Sequence, residues 1–305
     1  MVIADSPCWH VADDVSAALA HGDAVVALES TVITHGLPFP DNLSLARDME
    51  VEIRAQGAVP ATIAVLDGRI LVGANNVELE RLARAEGMHK ISARELGPAC
   101  ALGWSGGTTV AGTCVVAHMA GIRVFATGGI GGVHRQAPFD VSADLVQLAR
   151  NPVVVVCAGA KAILDLPATL EMLETYGVPV VGYQTDEFPA FYSRQSGLPV
   201  TIRAEEPNQI AEIARRHWSW GLNSAVLVAN PPPEDTALSP TVVEAAVRQA
   251  LEECQAAQVH GQSVTPFLLE RMCKLTRGES VKSNLALLLN NARLAGWIAT
   301  AFHGS

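Results

Sequence analysis

The sequence predicts an α/β fold: a single three-layer α/β/α domain with a mostly parallel central sheet. Three observations predict it. Short β-branched runs alternate with segments of helical period, the pattern of strands covered by helices on both faces. The chain has 305 residues, 49% of them hydrophobic, enough for one large core. No internal repeat, low-complexity segment or long linker divides it, and Pro231-Pro232-Pro233 reads as a stiff local connection. The domain is expected over residues 22–305, with residues 1–21 as an N-terminal extension.

Residues 24–28 read as the first strand, and residues 41–56 as a helix with Leu43, Ala46, Met49 and Ile53 on one face. Residues 62–66 and 70–72 flank Asp67-Gly68, a hairpin signal. A helix over 77–85 and a short strand over 89–92 follow. Gly106-Gly107 precedes a buried helix over 108–120, and the strand 124–126 runs into Thr127-Gly128-Gly129-Ile130-Gly131-Gly132. Residues 142–149 are helical and 153–156 are a buried strand. The helix over 163–175 contains Pro167, so it either kinks or starts late. Strands over 178–182 and 225–229, and helices over 207–220, 241–257, 266–275 and 282–301, complete the chain.

A net charge of −10 repels nucleic acid and anionic membrane, and 5% aromatics leaves little for stacking on bases. No apolar run has the length of a membrane span, and residues 1–15 are too acidic for a signal peptide. None of the six cysteines has a CxxC partner, which argues against zinc and thioredoxin-type sites and suits a reducing compartment. The expectation is a cytoplasmic protein acting on a small molecule.

In open α/β sheets ligands bind beyond the carboxyl ends of the strands, and several polar groups fall there. Lys161 follows Val153-Val154-Val155-Val156-Cys157-Ala158-Gly159-Ala160. Desolvation disfavours an ammonium whose ordinary pKa is about 10.4, and a free amine can form a Schiff base. A lysine snorkelling from a core strand has the same local sequence. Glu29 follows the first strand, where burial suits general-acid work and an ion pair or cap is equally served. Lys90 lies in the third-strand region. Thr108 and Thr109, after paired glycines, can present a helix N-terminus to phosphate or simply cap it. Asp140 and Asp144, four apart, share a face if helical and suit Mg²⁺ or Mn²⁺; an acid-rich first turn needs no ligand. His134 and Arg135 lie just upstream. Asn284, near the start of the last helix, can read a base edge or a sugar, or cap. Neither a Gly-Lys-Ser/Thr phosphate loop nor GxGxxG is present, which argues against an ATPase or a nicotinamide enzyme.

Longer motifs are Ala27-Leu28-Glu29-Ser30-Thr31, Thr34-His35-Gly36-Leu37-Pro38, Thr127-Gly128-Gly129-Ile130-Gly131-Gly132-Val133-His134-Arg135, Asp140-Val141-Ser142-Ala143-Asp144, Cys157-Ala158-Gly159-Ala160-Lys161 and Lys282-Ser283-Asn284. On these the chain resembles the pseudouridine-5′-phosphate glycosidase family, which includes the indigoidine biosynthesis protein A. The match runs from about residue 22 to about residue 299. The resemblance implies reversible cleavage of the C–C bond of pseudouridine 5′-phosphate to uracil and ribose 5-phosphate. It implies Lys161 as nucleophile and Glu29 as proton donor. Asp140 would bind Mn²⁺, with Lys90, Val110, Ser142, Ala143 and Asp144 contacting substrate and His134 and Asn284 near the uracil. It also implies a homotrimer. In the implied route the ribose opens, Lys161 forms an iminium at C1′, Glu29 manages a proton at C5, and water releases the sugar. Gln136-Ala137-Pro138 makes a shorter loop than the family pattern, and residues 2–21 lie outside the match. A relative with a drifted substrate and a non-catalytic sugar-phosphate binder are the competing readings.

Overall fold

The computed structural model describes residues 8–135, 137–259 and 264–302; Gln136 of the short loop and residues 1–7 of the extension lie outside the described residues. The first half contains β1 (Trp9–Val11), α1 (Asp13–His21), β2 (Val25–Leu28), α2 (Thr31–His35), α3 (Asp41–Ala55), β3 (Val59–Leu66) and β4 (Arg69–Val72). It continues through α4 (Asn76–Arg84), β5 (His89–Ile91), α5 (Leu96–Leu102), β6 (Gly106–Thr108), α6 (Val110–Ala120) and β7 (Val124–Ala126). Next come β8 (Val133–His134), β9 (Ala137–Val141), α7 (Ala143–Leu148), β10 (Val154–Cys157), β11 (Leu164–Asp165) and α8 (Leu166–Thr175). The remainder is β12 (Val180–Tyr183), β13 (Ile202–Ala204), α9 (Pro207–Ser219), β14 (Val226–Ala229), α10 (Pro240–Ala256), α11 (Val264–Leu275) and α12 (Glu279–Ala301).

Among the described residues an 11-stranded sheet runs β1-β4-β3-β2-β7-β10-β14-β12-β13, with β6 joining β3 to β5. Only the β3–β4 and β3–β6 pairings in it are antiparallel. Strands β2, β7, β10 and β14 are buried along their whole length, as parallel strands covered on both faces must be. Helix α12 packs on β2, β7 and β10 beside α3 and α9, while α6 packs on β2 and β3 beside α7. This is the three-layer domain expected. Residues 9–21 belong to it physically: β1 pairs with β4, and Val15 of α1 is in the core.

Three local expectations change and one open choice, the late start of α8, is settled. Gly106-Gly107-Thr108 is a strand rather than a helix start: it pairs with β3 and β5, and residue 107 is glycine because a Cβ there would come within 2.3 Å of Thr34 Oγ1 and 2.6 Å of the Ser30 carbonyl. Helix α6 therefore opens at Val110, capped by Thr109, which accepts from Gly112 N at 3.3 Å. Helix α8 starts late, at Leu166, with Asp165 capping Ala168 N at 3.0 Å and Pro167 in its first turn. Helix α12 begins at Glu279, so Asn284 lies inside it and is not a cap. Asp140 and Asp144 do not share a helix face, because β9 ends at Val141 and α7 begins at Ala143. A small antiparallel sheet, β11-β8-β9, presents His134 and Asp140 at the edge of the carboxyl ends.

Candidate active site

Strands β2, β7 and β10 are neighbours, so the residues just past their ends stand side by side: Glu29, Thr127 and Lys161. The glycine segment after β7 runs beside the segment after β10. Ala158 N donates to Gly128 O at 2.9 Å, Ile130 N to Gly159 O at 3.1 Å and Lys161 N to Ile130 O at 3.1 Å. These bonds fix the backbone that carries Lys161. The glycines serve close approach: a Cβ on Gly131 would fall 2.2 Å from Ser142 Oγ.

Two chambers open here. One, of about 450 Å³, is lined by Val32, Met88, Phe191, Leu269 and Leu288, with His35, His89 and Asn284 as its polar groups. The other, of about 200 Å³, is lined by Arg94, Thr109, Val110, His134, Ser142, Ala143 and Asp144. Glu29, Thr31, Lys90 and Lys161 line both and form the wall they share. Thus nearly every expected site residue converges, although His134 and Asn284, expected together near the base, line different chambers. Thr108 does not: it is fully buried, its hydroxyl donating to Ile63 O at 2.8 Å and lying 2.9 Å from Thr113 Oγ1. Asp140 lines neither chamber; its Oδ2 is 4.0 Å from His134 Nδ1.

Burial raises the Glu29 carboxyl above its ordinary value, against the opposing pull of Lys161 and the Thr127 hydroxyl, which donates to Glu29 Oε1 at 2.5 Å. Burial lowers the Lys90 ammonium, and the neighbouring Lys161 charge lowers it further, with Asp144 and Glu29 opposing. Burial and then Lys90 also lower His35, whose Nδ1 is 2.7 Å from Thr34 Oγ1. Asp144 is 6% exposed and braces the site: Oδ1 accepts from Ala111 N at 2.9 Å and Oδ2 from Gly131 N at 2.8 Å. The arrangement offers a lysine beside a buried carboxyl, an apolar slot on one side and hydrogen-bond donors on the other.

Residue-by-residue sequence reasoning missed the contributions of Arg94, Phe191 and Thr127. Thr127 follows a strand end and was findable on that ground. Phe191 comes from an irregular segment, with φ 60 and its N–H bonded to Ala158 O at 3.0 Å. No spacing signal marks it. Among the described residues no group of three or more His, Cys, Asp or Glu could hold a metal ion. No helix among them is long and apolar enough to cross a membrane.

The sequence profile described as "Indigoidine synthase A like protein" matches residues 14–301. Pseudouridine-5′-phosphate glycosidase of Herpetosiphon aurantiacus is 54% identical over 297 residues, covering 97% of this chain and 98% of that protein. The same-named protein of Paracoccus denitrificans is 52% identical over 97% of this chain and 98% of its own length. Among solved structures, the prealnumycin C-glycosynthase AlnA in complex with ribulose 5-phosphate superposes with a TM-score of 0.90 at 41% identity, over 97% of each chain. An indigoidine synthase A-like protein from Thermotoga maritima gives 0.88 at 38% identity, over 96% of this chain and 95% of its own.

Proposed function

Because the chain belongs to the indigoidine synthase A-like family, we propose that it cleaves the C–C glycosidic bond of pseudouridine 5′-phosphate, reversibly, to uracil and ribose 5-phosphate. The observation that carries this reading is the shared wall: the amine of Lys161 and the carboxyl of Glu29 stand where an apolar chamber meets a polar one. A substrate with a planar ring at one end and a phosphate at the other spans such a site with its C1′–C5 bond at the wall.

A C-glycoside has no leaving oxygen at the base, so the usual pair of glycosidase carboxylates does not suffice. The C1′–O4′ bond opens with protonation of O4′, and the uracil ring's electrons make C1′ electrophilic. The Lys161 nitrogen then bonds to C1′. Glu29, whose acid form is favoured by burial, gives its proton to C5. The nitrogen lone pair then forms the C1′ iminium as the C1′–C5 bond breaks, its electrons return to the ring and uracil leaves. Water adds to the imine and releases ribose 5-phosphate, restoring the amine. Arg94, Thr109 and the donors about Ser142 and Ala143 face the phosphate; Asn284 and His35 face the base.

Asp140 suits a divalent ion such as Mn²⁺ in donor chemistry: its side chain is 60% exposed, and one hard carboxylate with retained waters is an ordinary ligand set. Such an ion, when bound, would supply electrostatic organisation of water and polar groups beside His134, which lines the polar chamber. The reading extends to a cytoplasmic homotrimer, in keeping with six free cysteines among the described residues and testable by sedimentation. The central test is uracil release from pseudouridine 5′-phosphate by the purified chain with Mn²⁺, beside Lys161→Ala. Release by the first and none by the second is expected. A folded, metal-supplied wild type that releases no uracil sinks the reading.

A further inference from the structure

Glu29 is not held by its own element. Its Oε1 accepts from Thr127 Oγ1 at 2.5 Å, and Thr127 is fully buried at the end of β7. The Thr127 backbone is fixed on both sides: its N–H donates to Val156 O at 3.0 Å, and its carbonyl accepts from Asn291 Nδ2 at 2.8 Å. Asn291, fully buried in α12, has its amide orientation set in turn. Asn230 Nδ2 donates to Asn291 Oδ1 at 2.9 Å, and Asn230 N donates to Cys157 O at 2.8 Å. A polar chain therefore runs from β14 through α12 to β7 and ends on Glu29. Buried amides in a layer otherwise packed by Leu287, Leu288 and Leu294 are costly unless fully paired, and these are paired with one another and with the strand ends.

The direction of the terminal bond matters. Among the described residues the Thr127 hydroxyl has no other acceptor, so its one proton is committed to Oε1. Oε1 is then the accepting oxygen, which leaves Oε2 for an acid proton. We propose that Thr127 is a positioning residue that fixes which oxygen of Glu29 carries the transferable proton, and that the Asn230–Asn291 pair holds Thr127 in place. This rests on Glu29 being the proton donor proposed above.

The test follows the Glu29 carboxyl itself. Its titration is read by carbon-13 NMR, assigned by the signal lost in Glu29→Gln, next to kcat and KM for uracil release across pH. The charged groups facing Glu29 are Lys161, Lys90 and Asp144, and all stay in place in the variants. Donation by the hydroxyl favours the ionised carboxyl, so Thr127→Val lets Glu29 keep its proton to higher pH. Expected for Thr127→Val are an alkaline limb moved upward, kcat lower by roughly tenfold to a hundredfold and KM nearly unchanged. Thr127→Ser should restore the limb, and Thr127→Ala replaces the valine variant if that one does not fold. A folded Thr127→Val whose carboxyl titrates and turns over as the wild type does overturns the positioning role, while wild-type activity lost in Glu29→Gln keeps the parent reading. Full activity in Glu29→Gln overturns both.

Discussion

The 450 Å³ chamber is walled by Val32, Met88, Phe191 and Leu288, and the 200 Å³ chamber by Arg94, Thr109, Ser142 and Asp144. Both are built on the same sheet end, yet their sources differ. The first takes Phe191 and Leu288 from an irregular segment and from α12, so its walls are apolar packing surfaces. The second lies at the opening turns of α6 and α7 and at the small sheet, so it is lined by the capping residues Thr109 and Ser142 and by Asp144, which takes the Ala111 N–H. The difference teaches how one site handles a substrate of two characters. In the proposed reading the apolar slot takes the ring and lets it leave, and the polar chamber holds the charged end throughout. Binding energy at the charged end can then be used to distort the sugar at the wall.

The largest effect should come from the wall. Lys161→Ala removes the proposed nucleophile, with an expected loss of at least about a thousandfold in kcat for uracil release. Borohydride treatment with ribose 5-phosphate should add mass to the wild type and none to the variant; labelling elsewhere in the chain would break the assignment. Glu29→Gln should cost roughly a hundredfold to ten-thousandfold in kcat. Because burial raises the Glu29 carboxyl, its acid form persists above the ordinary carboxylate range, and the alkaline limb of kcat should vanish in that variant.

A crossed pair of substitutions then separates the chambers. Arg94→Ala should raise the inhibition constant of ribose 5-phosphate roughly tenfold and leave that of uracil alone. Phe191→Leu should do the reverse by a similar factor, through lost ring contact. Equal weakening of both inhibitors by either variant would mean that one chamber holds the whole ligand and that the division is not functional.

How much of this was legible follows from where each residue sits. Lys161 and Glu29 could be read because each ends a run of apolar β-branched or small residues, and strand ends are where such sheets bind. The Thr108-Thr109 pair was half legible. Adjacent residues on an extended segment point to opposite sides, so Thr109 faces the chamber while Thr108 turns inward to Ile63. The Asp140–Asp144 spacing misled because a four-residue interval carries meaning only inside one helix, and the strand-to-helix break falls between them. The two-residue strands β8 and β11 and the five-residue α2 are too short for periodicity to register. Thr127 and its buried asparagines depend on contacts between residues 98 and 164 positions apart, which only folding brings together.

The smallest effect concerns stability and sharpens the account of the wall. Glu29 has a folded-state carboxyl raised above its ordinary value of 4.5. Between the ordinary and the raised value the folded protein binds the proton and the unfolded chain does not, so stability falls as pH rises through that window. Glutamine has the same shape, carries no charge to desolvate and leaves its carbonyl oxygen to accept from Thr127. Glu29→Gln should therefore melt no lower than the wild type at pH 4.5, and its advantage should grow as pH rises through that window and then hold up to pH 8, as expected of a group kept for chemistry at a cost in stability. Melting temperatures of the two proteins across that range decide it. An advantage that stays flat with pH would mean that Glu29 is solvated in the folded protein, and the wall would then lose its claim to a buried acid.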